Sequence, residues 1–572
     1  MTKLIKNKRG LIIFLLGLVV LLGAFLRFYD ISKMPVSLYW DETASAYNAY
    51  SIALTGKDEY GTSFPLLFRS FDDYKAPGNI YLTAIAVSIF GLNEFSARFT
   101  SALAGTLTVL LTYYLVREML ELTDLDNFQI FARKFRFNSE HAALLSAFML
   151  AISPWHIQFS RSGFEANVAV MFNVAAVWLF LRAIRLKQNR IFFLSAFMFS
   201  VDFYFYRSIW VFVPMLLLGI FIIFFKELVD RKRIVVTLTG LFIFIVILAP
   251  FVPDMISKGG MARAAQVDVF NNTIPQQIKA ADLRAKGGLW NKIIFNQRLV
   301  VPELILTNYV SNFSPQFLFL SGDPNGRHSP RGMGVMYIWE FPFVLVGVCF
   351  ILFKVKGRLK YLLLLWLLIA PLPAAVSTPN PHALRDLNIL PLPQILTALG
   401  LYLTYQVIKK VFFQRVFVIA MILIIIGFFI NYLYLYYVVT AKVTASDWAD
   451  GYKQLAEYMI PRESRYQKLV VSGHYWQPYI YFLFYKKYNP SLYQKYGHQT
   501  GFGKYVFGGT SWDRDLGRSE LNNVNLQKFA GAKHILVALS PGEYQSDKNQ
   551  LQYLTTIYNH DGQVVFIVGQ EQ

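Results

Sequence analysis

The stretch from residue 11 to residue 28 reads LIIFLLGLVVLLGAFLRF and consists almost entirely of apolar residues. Similar apolar blocks follow at 99–116, 341–353, 361–375 and 416–438. A helix needs about 20 such residues to cross the hydrocarbon core of a bilayer, and a helix satisfies its own backbone hydrogen bonds in lipid. These blocks therefore predict an α-helical membrane protein with many spans.

The composition agrees with this prediction. The chain has 572 residues, of which 55% are hydrophobic and only 16% are charged, whereas about a quarter are charged in soluble domains. The formal net charge is +20, which in a soluble protein would suggest nucleic-acid binding. Here the basic residues cluster in short loops between apolar blocks, as the positive-inside rule requires. We therefore expect membrane lipids, and no nucleic acid, as partners.

Two features bear on processing and redox chemistry. Lys3, Lys6, Lys8 and Arg9 precede the first apolar block as in a signal sequence, but no convincing cleavage site follows. We therefore expect an uncleaved anchor. The single cysteine, Cys349, lies in an apolar block and excludes an intrachain disulfide.

The basic loops define a topology, because the chain must cross the membrane an even number of times between two inside loops. The stretch 79–92 is too short to span and is predicted to be an interfacial or re-entrant helix. The N-terminus is then cytoplasmic, the C-terminus is extracytoplasmic, and only the division of 191–225 stays open. The eleven predicted spans are 11–28, 97–116, 142–159, 166–184, 191–206, 208–225, 235–253, 336–353, 361–377, 386–406 and 416–438.

The same pattern predicts two domains. Residues 1–440 would form the transmembrane domain, with outer loops at 29–98 and 254–335. Residues 441–572 would form a small extracytoplasmic α/β domain, because a helix-like run alternates with strand-like runs. These runs are 450–460, 468–472, 535–539 and 564–568.

The same count of membrane crossings also places the notable polar residues on the outer face, where carboxylates meet a set of basic side chains. Such a set suits a transfer reaction, because an acid accepts the proton of an acceptor hydroxyl while cations stabilise an anionic leaving group. Arginine suits a phosphate leaving group, since its planar guanidinium binds two oxygens at once. The residues are Asp41, Glu42, Asp73, Lys75, Arg98, Arg161, Glu165, Arg207, Arg327, His328, Arg331, His382 and Arg385.

Several of these residues lie in motifs that resemble the GT-C glycosyltransferases, in particular the protein O-mannosyltransferase and aminoarabinose transferase branch (glycosyltransferase family 39-like). The resemblance covers residues 10–440. The order of the motifs and their location on one side of the membrane are together more specific than any single motif. The motifs are Leu38-Tyr39-Trp40-Asp41-Glu42, Tyr74-Lys75-Ala76-Pro77, 90–98, 152–156, 160–165, 321–329 and 381–385.

The resemblance implies an inverting transferase of the cell membrane that uses a polyprenyl-phosphate-linked sugar on the outer face. Asp41 would be the catalytic base, and Glu42 would position substrate or support a metal. Lys75, Arg98, Arg207, His382 and Arg385 would bind the donor or its phosphate, and Asp73, Glu165, Arg327 and His328 would contact substrate. The acceptor stays open among a protein, a glycolipid and a cell-wall polymer.

The metal question also stays open. Relatives often carry an acid or histidine before the motif lysine, where this chain has Tyr74, although Asp73 could substitute. No His, Cys or Asp residues have the spacing of a zinc site, so a dedicated zinc site is not expected, while a divalent ion is left open.

The same residues are also compatible with purely structural roles and with a different function. Asp41 and Glu42 could be a helix N-terminal pair, Lys75 could extend to the membrane interface, and Arg98 could anchor a span. A transporter or flippase is the main functional alternative, but it would place ionisable groups near the middle of the membrane. A scaffold that presents the C-terminal domain would need no such set of acids and bases.

Overall fold

The structure, a computed structural model, describes residues 2–71, 73–123, 128–130, 133–135, 138–257, 278, 281–282, 285–286, 288, 297–473, 477–508 and 534–571. Much of the predicted outer loop 254–335 therefore lies outside the described residues. The chain forms two compact units. The helical unit comprises Met1–Tyr29, Ser101–Ser160 and Glu165–Leu435, and the mixed unit comprises Asp30–Thr100, Arg161–Phe164 and Tyr436–Gln572.

The helical unit consists of apolar helices joined by short connections. Within the described residues, six helices are long and apolar enough to cross a membrane, and a seventh span arises if the bent pair Ser139–Ala151 and Pro154–Arg161 counts as one. The first nine helices of the chain, of which α2 and α3 belong to the mixed unit, are α1 (Thr2–Phe28), α2 (Trp40–Thr55), α3 (Gly78–Phe90), α4 (Glu94–Glu121), α5 (Ser139–Ala151), α6 (Pro154–Arg161), α7 (Ala166–Leu186), α8 (Asn189–Asp202) and α9 (Ile209–Ile223). Later helices of this unit are Phe225–Leu228, Ile234–Leu248, Val252–Ile256, Gln297–Ser311, Phe341–Phe353, Arg358–Ile369, Leu372–Ala375, Leu392–Val407 and Val411–Tyr434.

The prediction of a multi-span helical membrane protein is confirmed, but the count of eleven spans is not. Each predicted span falls on a helix, yet several of these helices are short. At 1.5 Å per residue, the 14 residues of α8 reach about 21 Å, less than the roughly 30 Å of the hydrocarbon core. The α5–α6 pair bends by 55° next to Pro154, because proline disfavours helical geometry in the residue before it.

The stretch 79–92 forms a helix that is short, as predicted. This helix, α3, has 13 residues and belongs to the mixed unit. It follows a two-stranded hairpin, in which β1 (Phe68–Ser70) pairs antiparallel with β2 (Asp73–Lys75). A second hairpin, β3 (Phe128–Ile130) with β4 (Arg133–Phe135), lies between α4 and α5.

The rest of the mixed unit contains a six-stranded sheet in the order β6-β7-β5-β8-β10-β9. β5 pairs parallel with β7 and β8, and the other neighbours are antiparallel. The strand-like runs of the tail are strands as predicted. The strands are β5 (Lys468–Val471), β6 (Gly501–Phe502), β7 (Tyr505–Phe507), β8 (Ile535–Leu539), β9 (Leu551–Tyr558) and β10 (Val564–Glu571), and the helices of the tail are Ala441–Val443, Tyr452–Met459, Pro478–Tyr485, Pro490–Tyr496 and Pro541–Asp547.

Within the mixed unit, the tail (residues 441–572) packs against the segment that contains α2. Tyr47 of α2 is fully buried and donates a hydrogen bond to the carbonyl oxygen of Tyr488 at 3.0 Å. Tyr481 of the tail donates to the carbonyl oxygen of Leu38 at 3.2 Å. The tail thus packs on the helix that carries Asp41 and Glu42, whereas a domain boundary at residue 440 stays a prediction.

Candidate functional site

The acidic pair Asp41-Glu42 lies in the first turn of α2. Glu42, the third residue of the helix, accepts a hydrogen bond from the backbone N–H of Tyr39 at 2.9 Å, which is half of a capping box. Both carboxylates also interact favourably with the positive end of the helix dipole. The position of Glu42 in the sequence is therefore explained in part by its capping of α2.

Glu42 belongs to a buried network and is only 1% exposed. Its Oε1 accepts hydrogen bonds from Arg98 Nε at 3.0 Å and from the N–H of Gly163 at 2.7 Å. A carboxylate that is enclosed in this way and accepts several N–H groups is fixed in position. The network connects the start of α2 with α4 and with the turn after α6.

Arg98 is likewise fully buried. Its Nη1 donates to the carbonyl oxygens of Ile31 and Pro35, each at 2.9 Å, and its Nη2 donates to that of Ser37 at 2.6 Å and to Glu42 Oε2 at 3.5 Å. With the Nε–H bond to Glu42, all five guanidinium N–H groups have acceptors within the described chain. The expected contact of Arg98 with a lipid phosphate would require these bonds to break.

Asp41 differs from Glu42 in that its side chain is 34% exposed. Its Oδ1 lies 2.9 Å from Nζ of Lys75, whose side chain is 12% exposed. Lys75 ends β2, so the hairpin places it beside the first turn of α2. Asp73 lies in the same strand, is half-buried, and accepts the N–H of Tyr74 at 2.7 Å. The hairpin thus brings together an accessible acid and a cation.

A second cluster, Asp323–His328–His382, lies in the helical unit. The candidate ligand atoms of these three buried residues lie within 4.8 Å of one another. Asp323 Oδ2 is 2.9 Å from His328 Nδ1 and accepts the N–H of Ala383 at 2.7 Å. The histidine rings are 4.7 Å apart. The spacing in the sequence did not indicate this grouping, because residue 382 comes from a distant segment.

The charges around this cluster indicate whether it would bind a cation or an anion. Burial lowers the pKa of His328, and the charges of Arg327 and Arg385 lower it further against the opposing effect of Asp323. Burial alone would raise the pKa of Asp323, but its hydrogen bonds with His328, Asn325 and Ala383 hold it below the usual value. The geometry could hold a metal ion, whereas the two guanidinium groups oppose a cation and favour an anion.

Four further predicted site residues belong to the helical unit. Arg385 Nη1 donates to Ser377 Oγ at 2.8 Å and to the carbonyl oxygen of Thr378 at 2.9 Å. Arg327 Nε donates to Asn325 Oδ1 at 3.2 Å. Glu165 is half-buried at the N-cap position of α7, and Arg207 is half-buried just before α9. The structure thus fixes Arg327 and Arg385 by local contacts around the cluster.

Asp323 was not among the predicted site residues. Its Oδ1 accepts the N–H of Asn325, two residues ahead, at 2.8 Å, which is an Asx-turn. The sequence Asp323-Pro324-Asn325-Gly326 carries this turn signal. That signal indicates a fixed turn and gives no information about the histidine from the distant segment.

Comparison with known proteins agrees with this architecture. Residues 129–253 match the family model described as dolichyl-phosphate-mannose-protein mannosyltransferase. The chain is 31% identical over 198 residues to the "Putative mannosyltransferase YkcB" of Bacillus subtilis (strain 168). That match covers 34% of this chain and 23% of the relative's length.

Two solved structures share the fold over nearly the whole chain. ArnT from Cupriavidus metallidurans bound to undecaprenyl phosphate superposes with a TM-score of 0.53 at 12% identity, covering 97% of each chain. The archaeal oligosaccharyltransferase AglB from Archaeoglobus fulgidus, in complex with an inhibitory peptide and a dolichol-phosphate, has a TM-score of 0.51 at 14% identity and covers 98% of this chain and 74% of its own. The chain therefore has the GT-C glycosyltransferase fold, and the predicted resemblance is confirmed.

Proposed function

We propose that this protein is a membrane glycosyltransferase that moves a sugar from a polyprenyl-phosphate donor to an acceptor hydroxyl. The observation that carries the proposal is the 2.9 Å pair between Asp41 Oδ1 and Lys75 Nζ at the start of α2. The match of residues 129–253 to a mannosyltransferase family and the fold shared with a structure that binds undecaprenyl phosphate support it.

In the proposed reaction Asp41 is the general base. Its carboxylate takes the proton of the acceptor hydroxyl, and the oxygen attacks the anomeric carbon from the side opposite the phosphate. The carbon–oxygen bond to the phosphate breaks, and polyprenyl phosphate leaves with the electron pair. A single displacement of this kind inverts the anomeric centre.

Lys75 is proposed to stabilise the leaving phosphate. In the structure its ammonium group lies 2.9 Å from the carboxylate of Asp41 and holds it in place. When the donor binds, the same ammonium group neutralises charge that develops on the phosphate oxygen, which lowers the barrier to departure. In this proposal Lys75 positions the base before the reaction and stabilises the leaving phosphate during it.

Glu42 and Arg98 are proposed to act through position, because both are buried and bonded to each other and to the backbone. They fix the backbone of the first turn of α2, which keeps the carboxylate of Asp41 in one position relative to Lys75. This proposal revises the expectation of direct substrate or phosphate contacts for the two residues.

The other expected roles belong to the same proposal. Arg207, His382 and Arg385 would contact the donor, and Asp73, Glu165, Arg327 and His328 would contact substrate. The full topology of eleven spans, with a cytoplasmic N-terminus and an extracytoplasmic active site and tail domain, is proposed with them. The acceptor would be a protein, a glycolipid or a cell-wall polymer.

The test uses the purified full-length protein in lipid nanodiscs with a polyprenyl-phosphate donor that carries a radiolabelled sugar. Release of polyprenyl phosphate together with labelled product supports the proposal. In proteoliposomes, movement of the intact donor across the bilayer without cleavage would assign the protein to the flippases instead. Screening donors one at a time would identify the sugar.

A further inference from the structure

A polar cavity lies in the helical unit where the ends of three long helices meet. The cavity is lined by the last turns of α4 and α7 and by Arg9, which lies at the start of the membrane-spanning part of α1. Its volume is about 230 Å³, several times the roughly 30 Å³ that a water molecule occupies in the liquid. The cavity is at the other end of α7 from Glu165, at the N-cap of that helix. It uses none of the residues proposed for glycosyl transfer.

The walls of the cavity carry an excess of positive charge. Arg9, Arg117, Arg182 and Arg185 line it together with Glu118 and Glu121. Glu140 also lies 3.8 Å from Arg117. Four arginines against three carboxylates leave one positive charge in excess, and among the lining residues alone the excess is two.

The carboxylates hold two of the arginines in place. Glu121 lies 2.8 Å from Arg117 Nε and 3.0 Å from Arg185 Nη2. Glu118, whose side chain is 3% exposed, is also bonded to Arg185. Arg182 is 3.9 Å from Glu118, at the limit of an ion pair, and Arg9 has no ion-pair partner among the described residues. These two arginines are therefore the better placed to engage a ligand.

The aromatic wall holds one of these arginines. Trp178 stacks on Tyr114 with ring centroids 5.3 Å apart, and the guanidinium of Arg182 lies 5.8 Å over the Trp178 ring. A guanidinium over the face of an indole is attracted by the ring. Trp178 therefore helps to keep Arg182 at the wall of the cavity.

From the excess of arginine on its walls and from its volume, we infer that this cavity is a binding site for a phosphate group. Arginine binds phosphate through two parallel N–H groups. Basic pockets between helices at a membrane surface bind the headgroups of anionic lipids. The phosphate would come from such a headgroup or from a phosphate compound in solution. This inference does not depend on the proposed transferase activity.

The test measures binding to the purified full-length protein by native mass spectrometry and by the midpoint of thermal unfolding. Phosphatidylglycerol, phosphatidylcholine and inorganic phosphate are the three probes. Arg9→Gln and Arg182→Gln remove the two less constrained arginines, and Trp178→Phe replaces the indole ring that lies under Arg182. Arg190→Gln is the matched control, because Arg190 is exposed at the start of α8 and does not line the cavity.

We expect phosphatidylglycerol to bind in preference to phosphatidylcholine, and its affinity to fall about tenfold in Arg182→Gln, which is the loss of one charge-assisted hydrogen bond. Arg190→Gln should keep the wild-type affinity. Stabilisation by inorganic phosphate without a lipid preference would support the site and assign it to a soluble phosphate compound. Equal binding of every probe to the wild-type protein and to all four variants would overturn the inference. Arg9→Gln breaks no ion pair among the described residues, so weaker binding by this variant would not be explained by a loss of folding.

Discussion

Lys75 Nζ lies 2.9 Å from Asp41 Oδ1, and both side chains retain some exposure, 12% and 34% respectively. The neighbouring pair, Arg98 with Glu42, is completely buried. The two adjacent acids of the motif therefore have different environments although they are consecutive in the chain. A partly exposed pair can exchange a partner for substrate, whereas a completely buried pair fixes the backbone.

The first prediction concerns Lys75. Lys75→Met should lower kcat/KM for the lipid-linked donor by about 10²-fold or more, because it removes the cation proposed to stabilise the leaving phosphate. Lys75→Arg keeps the charge and should retain a larger fraction of the activity. Initial rates over a range of donor concentrations measure both. Wild-type kinetics in Lys75→Met would contradict this role.

The second prediction concerns the buried pair. Glu42→Ala leaves the guanidinium of Arg98 buried without its carboxylate, which costs about 3–5 kcal/mol. The yield of monodisperse protein and the unfolding midpoint should both fall sharply. Lys33→Ala is the control, because the side chains of Lys33 and its partner Asp30 are 80% and 36% exposed, and exposed pairs contribute at most about 1 kcal/mol. A Glu42→Ala protein that is as stable as this control would contradict the positioning role.

The third prediction concerns pH and Glu59, in the loop that follows α2. Burial raises the pKa of Glu59 from 4.5 to about 8, although hydrogen bonds from Asn48 and Tyr479 oppose the rise. The folded protein therefore keeps the proton that the unfolded chain loses, so stability should fall as the pH rises from 4.5 to about 8 and then level off. Glu59→Gln should remove this dependence and stabilise the protein at pH 8. Unfolding midpoints across this range measure it, and an unchanged slope in Glu59→Gln would refute it.

The fourth prediction concerns metals at the cluster of Asp323, His328 and His382. Because Arg327 and Arg385 oppose a cation there, we expect transfer activity to survive prolonged treatment with a chelator. Rates are compared before treatment, after it, and after Mg²⁺, Mn²⁺ or Zn²⁺ is restored. Loss of activity that one of these ions reverses would show that the cluster, or another site, needs a metal.

Sequence periodicity predicted the helices because lipid imposes long apolar runs, and each predicted span falls on a helix. It could not settle how many helices cross the bilayer. Short helices such as α8 and α9 have 14 and 15 residues, and their depth depends on packing that the pattern does not contain. Three of the six strands described in residues 441–572 were predicted, namely β5, β8 and β10, because their apolar runs are short and rich in β-branched residues.

The site was predictable only where neighbours in the chain are neighbours in space. The motifs located Asp41 and Lys75, but their residue types do not show that Glu42 and Arg98 are enclosed. Burial of that pair depends on carbonyl groups of residues 31–37 and on Gly163, which the fold brings in from a distant turn. The grouping of Asp323 and His328 with His382 has the same long-range origin.

The most direct test of the central claim is the rate of sugar transfer by purified Asp41→Asn. Asparagine preserves the shape of the side chain but cannot accept the hydroxyl proton, and general-base catalysis contributes about 10²–10⁴-fold. Asp30→Asn is the matched control, because Asp30 also pairs with a lysine, Lys33, but at 3.7 Å on the surface of the same unit. We predict that Asp41→Asn folds normally and loses transfer by this factor while Asp30→Asn stays active. Wild-type transfer by Asp41→Asn would contradict the account.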